Sequence, residues 1–155
     1  MNCDQKKAKS ILDSSAYTCV LIRESEILTS SKRGVSPLLD WLDSGKSFEG
    51  FSAADKVVGK AAAYLYVLLG IRALYTKVIS SQALEVLSAH NVEILFGEKV
   101  DRIRNRDNTG FCPMELCVAD VDTADGALTA IRNKLAEFSL PCIGDGKSSK
   151  KGKNL

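Results

Sequence analysis

"FSAADKVVGKAAAYLYVLLG", Phe51 to Gly70, is the stretch whose reading decides the fold. Ser52 followed three positions later by Asp55 has the form of a capping box, and Gly70 supplies a stop, so the spacing predicts a helix from the Ser52–Asp55 start to Gly70. From Ala61 onward the pattern is apolar nearly all round, which predicts burial on most faces. Gly59 would then lie inside the helix at a cost of about 1 kcal/mol relative to alanine. Its expected use is the close approach of a neighbouring backbone.

Working outward, "IRALYTKVIS" reads as a strand, "SQALEVLSAHN" as a helix capped by Ser80 or Ser81, and "VEILF" as a second strand. Strand, helix and strand at these lengths make a βαβ unit with parallel pairing. Upstream, Asp4–Asp13 has helical spacing, and "YTCVLIRESEILTSS" holds two β-rich runs, Tyr17–Arg23 and Glu26–Thr29, around a two-residue break. That is a hairpin, although Glu-Ser is not a favoured turn pair. "KRGVSPLLDWLDSG" follows, with Ser36 as helix cap, Pro37 at the first helical position and Gly45 as stop. Downstream, "KVDRIRN" reads as a short edge strand, followed by helices over Pro113–Asp120 and Thr123–Phe138. Without repeat or linker, residues 1–140 are expected to form one domain. The predicted architecture is α/β, a three-layer α/β/α sandwich around a mixed sheet of about five strands.

The totals agree with a globular chain: 155 residues, 45% hydrophobic and 26% charged, enough to bury a core without disulfides. The five cysteines (3, 19, 112, 117 and 142) are odd in number and irregularly spaced, which fits free thiols in a reducing compartment. The N-terminus lacks a signal-peptide core, and the longest apolar run, Ala61–Leu69, is too short to span a bilayer. A cytoplasmic location with no membrane partner is expected. Four lysines in residues 147–155 turn a net charge of +2 into −2 for residues 1–146. Residues 141–155 therefore read as a flexible, basic, solubilising tail, and nucleic-acid binding as unlikely.

Ligands of open α/β sheets bind beyond the carboxyl ends of the strands, where helix N-termini offer unpaired N–H groups. Two such starts are readable, one near Ser52–Asp55 and one at Ser80–Ser81. Lys56 and Lys60 lie four apart on one helix face, so Asp55, Lys56, Lys60, Ser80 and Ser81 are candidate ligand-binding residues for a small anionic metabolite. The alternative is two solvated surface lysines.

The stretch "NRDNTGFCPMELC", Asn105 to Cys117, is the other candidate. Pro113 at the first helical position places Cys112 at the N-cap and Glu115 at N3. A thiol there meets the positive end of the dipole, which lowers its pKa, while an ionised Glu115 raises it. Cys112, Glu115 and Lys60 are the candidate catalytic groups, with Asn105 and Arg106 as ligand contacts; a structural Cys112 and a turn-stitching Asn105-Arg106-Asp107 are the competing reading. No metal is expected, since Cys112 and Cys117 are about 140° apart on a helix. The only histidine, His90, precedes Asn91 and reads as a C-cap.

The motifs "DKVVGKAAA" (Asp55–Ala63), "VISSQALEVL" (Val78–Leu87) and "NRDNTGFCPME" (Asn105–Glu115) resemble an uncharacterised prokaryotic family, domain of unknown function 1893, over about residues 5–140. The resemblance implies a cytidine deaminase-like fold with a five-stranded mixed sheet and no established activity. Zinc deaminases need His/Cys-x-Glu on one helix start and Pro-Cys-x-x-Cys on the next. The corresponding starts, Asp55–Lys60 and Ser80–Gln82, contain neither histidine nor cysteine, so no zinc or other cofactor is expected.

Three functions remain open. One is binding of a small anionic or nucleotide-like metabolite. Another is zinc-independent catalysis with Cys112 as nucleophile or sulfur carrier, Lys60 or Arg106 stabilising negative charge. The third is a homo-oligomeric interaction module, a homodimer through a sheet edge or helix face.

Overall fold

In the computed structural model, residues 3–32, 34–101, 103 and 113–139 are described. The elements in chain order are α1 (Cys3–Asp13), β1 (Cys19–Arg23), β2 (Glu26–Ser30), α2 (Ser36–Asp43), β3 (Ser52–Val58) and α3 (Lys60–Leu69). They continue with β4 (Ala73–Ser80), α4 (Ser81–Ala89), β5 (Glu93–Val100), α5 (Pro113–Cys117) and α6 (Ala124–Ser139). One mixed sheet has the order β2-β1-β3-β4-β5. β1 pairs antiparallel with β2 and β3, while β3, β4 and β5 run parallel.

The Phe51–Gly70 stretch is therefore two elements, and the expected helix start at Ser52–Asp55 is corrected. Ser52–Val58 is the central strand, paired on both sides. Its alanines favour a helix in isolation, but ladder pairing and burial of Ser52, Ala53 and Ala54 override that preference. The helix begins only at Lys60, with Gly59 as its N-cap, whose carbonyl accepts from Ala63 N–H at 2.9 Å. Burial on most faces holds: Ala61 to Tyr66 and Leu69 are all buried. Gly70, at φ 83°, adopts the left-handed conformation that closes the helix, its N–H donating to Tyr66 and Val67 carbonyls.

Two cores flank the sheet and give three layers. On one face α2 to α6 enclose Leu38, Leu65, Tyr66, Leu74, Leu87 and Ile131. On the other, α1 lays Ala8 and Leu12 against Val20, Ile22, Ala54 and Tyr75. Gln5 of α1, also buried, donates from Nε2 to Leu74 O at 2.9 Å. The Glu24-Ser25 hairpin turn puts Glu24 at φ 56°. Asp4 of α1 supports that unfavourable turn by accepting the Glu24 N–H.

Three further expectations change. "VEILF" and the start of "KVDRIRN" are one strand, β5, with constant register against β4. Gly97, between the two stretches, allows close pairing: a Cβ there would lie 2.9 Å from Lys77 O. The helix after Cys112 is only five residues long. Ser36 opens α2 as its first helical residue, and the N-cap is Val35. His90 does cap α4, its Nδ1 2.8 Å from Val86 O, with Asn91 left-handed at φ 61°. Among the described residues no helix is long and apolar enough to cross a membrane.

Candidate functional site

Beyond the carboxyl end of β3, a cavity of about 230 Å³ opens between the starts of α2 and α3. Val35, Pro37, Val57, Ala61, Ala62, Ile103 and Met114 give it apolar walls. Thr18, Cys19, Asp55, Lys56 and Glu115 are its polar lining.

Asp55 and Cys19 are register partners across the antiparallel β1–β3 pair. Tyr66, one helical turn and a half into α3, reaches back between them. Its hydroxyl donates to Asp55 Oδ2 at 2.7 Å and lies 2.9 Å from Cys19 Sγ. While Asp55 is ionised the phenol's single hydrogen is committed to the carboxylate, and the thiol donates to the phenol oxygen. The second carboxylate oxygen, Oδ1, takes a long bond of 3.4 Å from Val57 N–H. Desolvation raises the Asp55 carboxyl to about 7, against the lowering effect of Tyr66 and the backbone N–H groups of Val57 and Lys56. Burial and the Asp55 charge push Cys19 and Tyr66 well above their ordinary values, so both stay protonated.

Glu115 fills the start of α3. Its Oε1 accepts from Lys60 N–H at 2.7 Å and its Oε2 from Ala61 N–H at 2.9 Å. A carboxylate from a distant element thus satisfies two of the helix's orphan donors and faces its positive dipole end. Burial still outweighs those donors and the Lys60 charge, holding the Glu115 carboxyl above its usual range. Gly59 makes room: a Cβ at that position would lie 2.4 Å from Glu115 Cδ. The approach that this glycine permits is made by a side chain, where a backbone was expected. Lys60 turns its ammonium away, donating to Ala119 O at 3.0 Å.

Of the sequence candidates, Asp55, Lys56 and Glu115 line the cavity together. Lys60 adjoins it but is engaged by Glu115 and Ala119. Ser80 caps α4, accepting from Ala83 N–H at 3.1 Å, and Ser81 Oγ donates to Val100 O; neither lines the cavity. Asn105, Arg106 and Cys112 lie outside the described residues. Cys19 and Tyr66 were missed, because a cysteine in an apolar strand and a tyrosine in an apolar helix both read as core. Their partnership with Asp55 is purely tertiary.

The helix starts that line the cavity are those of α2 and α3, where α3 and α4 were expected. They read Val35-Ser36-Pro37 and Gly59-Lys60-Ala61-Ala62, with no imidazole or thiolate, and a carboxylate already occupies the second. That donor set does not fit a zinc deaminase centre. Among the described residues no group of three or more His, Cys, Asp and Glu side chains is placed to hold a metal ion.

These features define a small α/β domain with a cavity beyond the end of its central strand. The family described as TM1506, a domain of unknown function (DUF1893), matches residues 7–135, and the chain belongs to that family. Its fold is that of the DUF1893 family protein TM1506 from Thermotoga maritima, with a TM-score of 0.77 at 24% identity over 89% of this chain and 92% of that one. It is more distantly similar to the dCMP deaminase of cyanophage S-TIM5, with a TM-score of 0.41 at 16% identity over 63% of this chain and 94% of that one. No curated protein matches the chain.

Proposed function

We propose that this domain binds a small planar metabolite of nucleobase type, which presents N–H donors to Asp55. The observation that carries this reading is a carboxyl group set among apolar walls, with one oxygen held by Tyr66 and the other 3.4 Å from Val57 N–H. A carboxylate so placed rewards a ligand that brings hydrogen-bond donors and flat apolar faces. The volume supports a single ring system, being below the roughly 300–1,000 Å³ of pockets for drug-sized ligands. Because Glu115 occupies the α3 start, a phosphate has no seat there, and recognition falls on the ring.

The test is a thermal-shift and calorimetric series of nucleobases, nucleosides and nucleoside monophosphates against the wild-type chain and Asp55→Asn. Bases or nucleosides should bind, more tightly as pH rises through 7 and Asp55 ionises. Asp55→Asn should lose at least tenfold in affinity. Absence of binding by every ring compound would reject the reading.

An acid–base enzyme is the second reading, favoured by the Asp55 carboxyl titrating near neutrality inside a cavity. Asp55 would then exchange a proton with the bound ring, and Cys112 need not act as nucleophile. Incubation in deuterated water checks it: ring-proton exchange in a bound ligand should disappear in Asp55→Asn.

A further inference from the structure

The outer side of β5 has no strand partner among the described residues. The strand is eight residues long, holds constant register with β4, and lacks the proline or bulge that commonly blunts a sheet edge. Most of it is exposed, including Leu95 at 38% and Phe96 at 39%. α1 covers β1, β3 and β4 but stops short of it. From these observations we infer that β5 is a homodimerisation edge, where two copies of this chain pair antiparallel about a twofold axis through Phe96.

The register follows from the backbone. Glu93 N–H donates inward to Arg72 O at 3.0 Å. With no bulge, the odd-numbered residues turn their amides towards β4, and Ile94, Phe96 and Glu98 turn theirs outward. In an antiparallel partnership the outward residues must oppose one another. An axis at Phe96 pairs Phe96 with its own copy and Ile94 with Glu98. It also sets Glu93 opposite Lys99 and Leu95 opposite Gly97, at the non-hydrogen-bonded positions where Cα atoms come to about 4.5 Å.

Charge selects this axis over its neighbours. Glu93 and Lys99 meet twice, once on each side of the axis. Moving the axis to Gly97 would face Glu93 with Asp101, and moving it to Leu95 would leave Lys99 without Glu93. The Phe96 register also lays the exposed Leu95 of one copy over the bare backbone of Gly97 in the other. Both Glu93 and Lys99 are exposed, so exchanging them leaves the monomer's core untouched.

Sedimentation velocity on the full chain tests the inference. The wild type should be a dimer at micromolar concentration. Glu93→Lys and Lys99→Glu singly should each weaken association by about tenfold or more, two pairs turning from attractive to repulsive. The double exchange should restore it, and circular dichroism should show every variant folded. A monomeric wild type would overturn the proposal, as would a dimer indifferent to both single changes or a folded double variant that stays monomeric. A monomer with exchange-protected amides at Ile94, Phe96 and Glu98 would mean that another part of the same chain covers the edge, which also overturns it.

Discussion

The carboxylate of Glu115 stands in the space that a side chain on residue 59 would fill, 2.4 Å from the position of a Cβ. Gly59 and Glu115 are one device, because the missing side chain admits the acid that closes the helix. Gly59→Ala must push Glu115 off two N–H donors, and Glu115→Ala removes the acceptors outright. Each alone should cost about 1–3 kcal/mol. In the Glu115→Ala background Gly59→Ala should cost little more, because the collision is gone. A double-mutant cycle by urea unfolding reads this, and simple additivity would show the two positions to be independent.

Asp55 makes stability depend on pH. Its carboxyl is raised to about 7 in the folded chain from an ordinary 3.8. The folded state therefore holds a proton that the unfolded state releases between those values. Its contribution is full below the ordinary value and is lost as pH rises through 7. Asp55→Asn keeps an acceptor for Tyr66 without the buried charge. It should gain on wild type with rising pH, by about 2–4 kcal/mol at pH 8. Melting curves from pH 4 to 8 check this; parallel profiles would contradict it.

Tyr66→Phe removes the hydroxyl that favours the Asp55 anion. The Asp55 titration, followed by carboxyl-carbon NMR, should move above its wild-type position. The fold should lose about 1–3 kcal/mol, because a part-buried carboxyl and a buried thiol lose their common partner. An unmoved titration would mean that Tyr66 only fills space.

Thiol reactivity should divide by position. Cys3 is exposed, whereas Cys19 is 2% exposed and its thiol is pushed up by burial and by Asp55. Alkylation at pH 7.5 followed by peptide mapping should label Cys3 within minutes and Cys19 only on unfolding. Ready labelling of native Cys19 would disagree with its place between β1 and α3.

Much of the fold is legible in the residues. The β-branched run at Tyr17–Arg23, the Ser80 cap and the Gly70 stop lie where local chemistry puts them. What was misread has one physical cause, tertiary pairing overriding local preference. Ser-Ala-Ala-Asp looks helical until β1 and β4 flank it, and "VEILF" and the start of "KVDRIRN" look like separate strands until β4 holds them in one register. The candidate site was legible in part. Asp55, Lys56 and Glu115 stood out through the helix-start patterns read around them, but the hydroxyl that tunes Asp55 comes from the middle of a helix eleven residues on.

The chain also carries its own counter-ion for α3. Pairs such as Lys32–Asp40 and Arg132–Asp43 face solvent and fade as added electrolyte screens them. The Glu115 seat is partly buried and is screened much less, so that wall of the pocket should hold its shape in brine that loosens the surface.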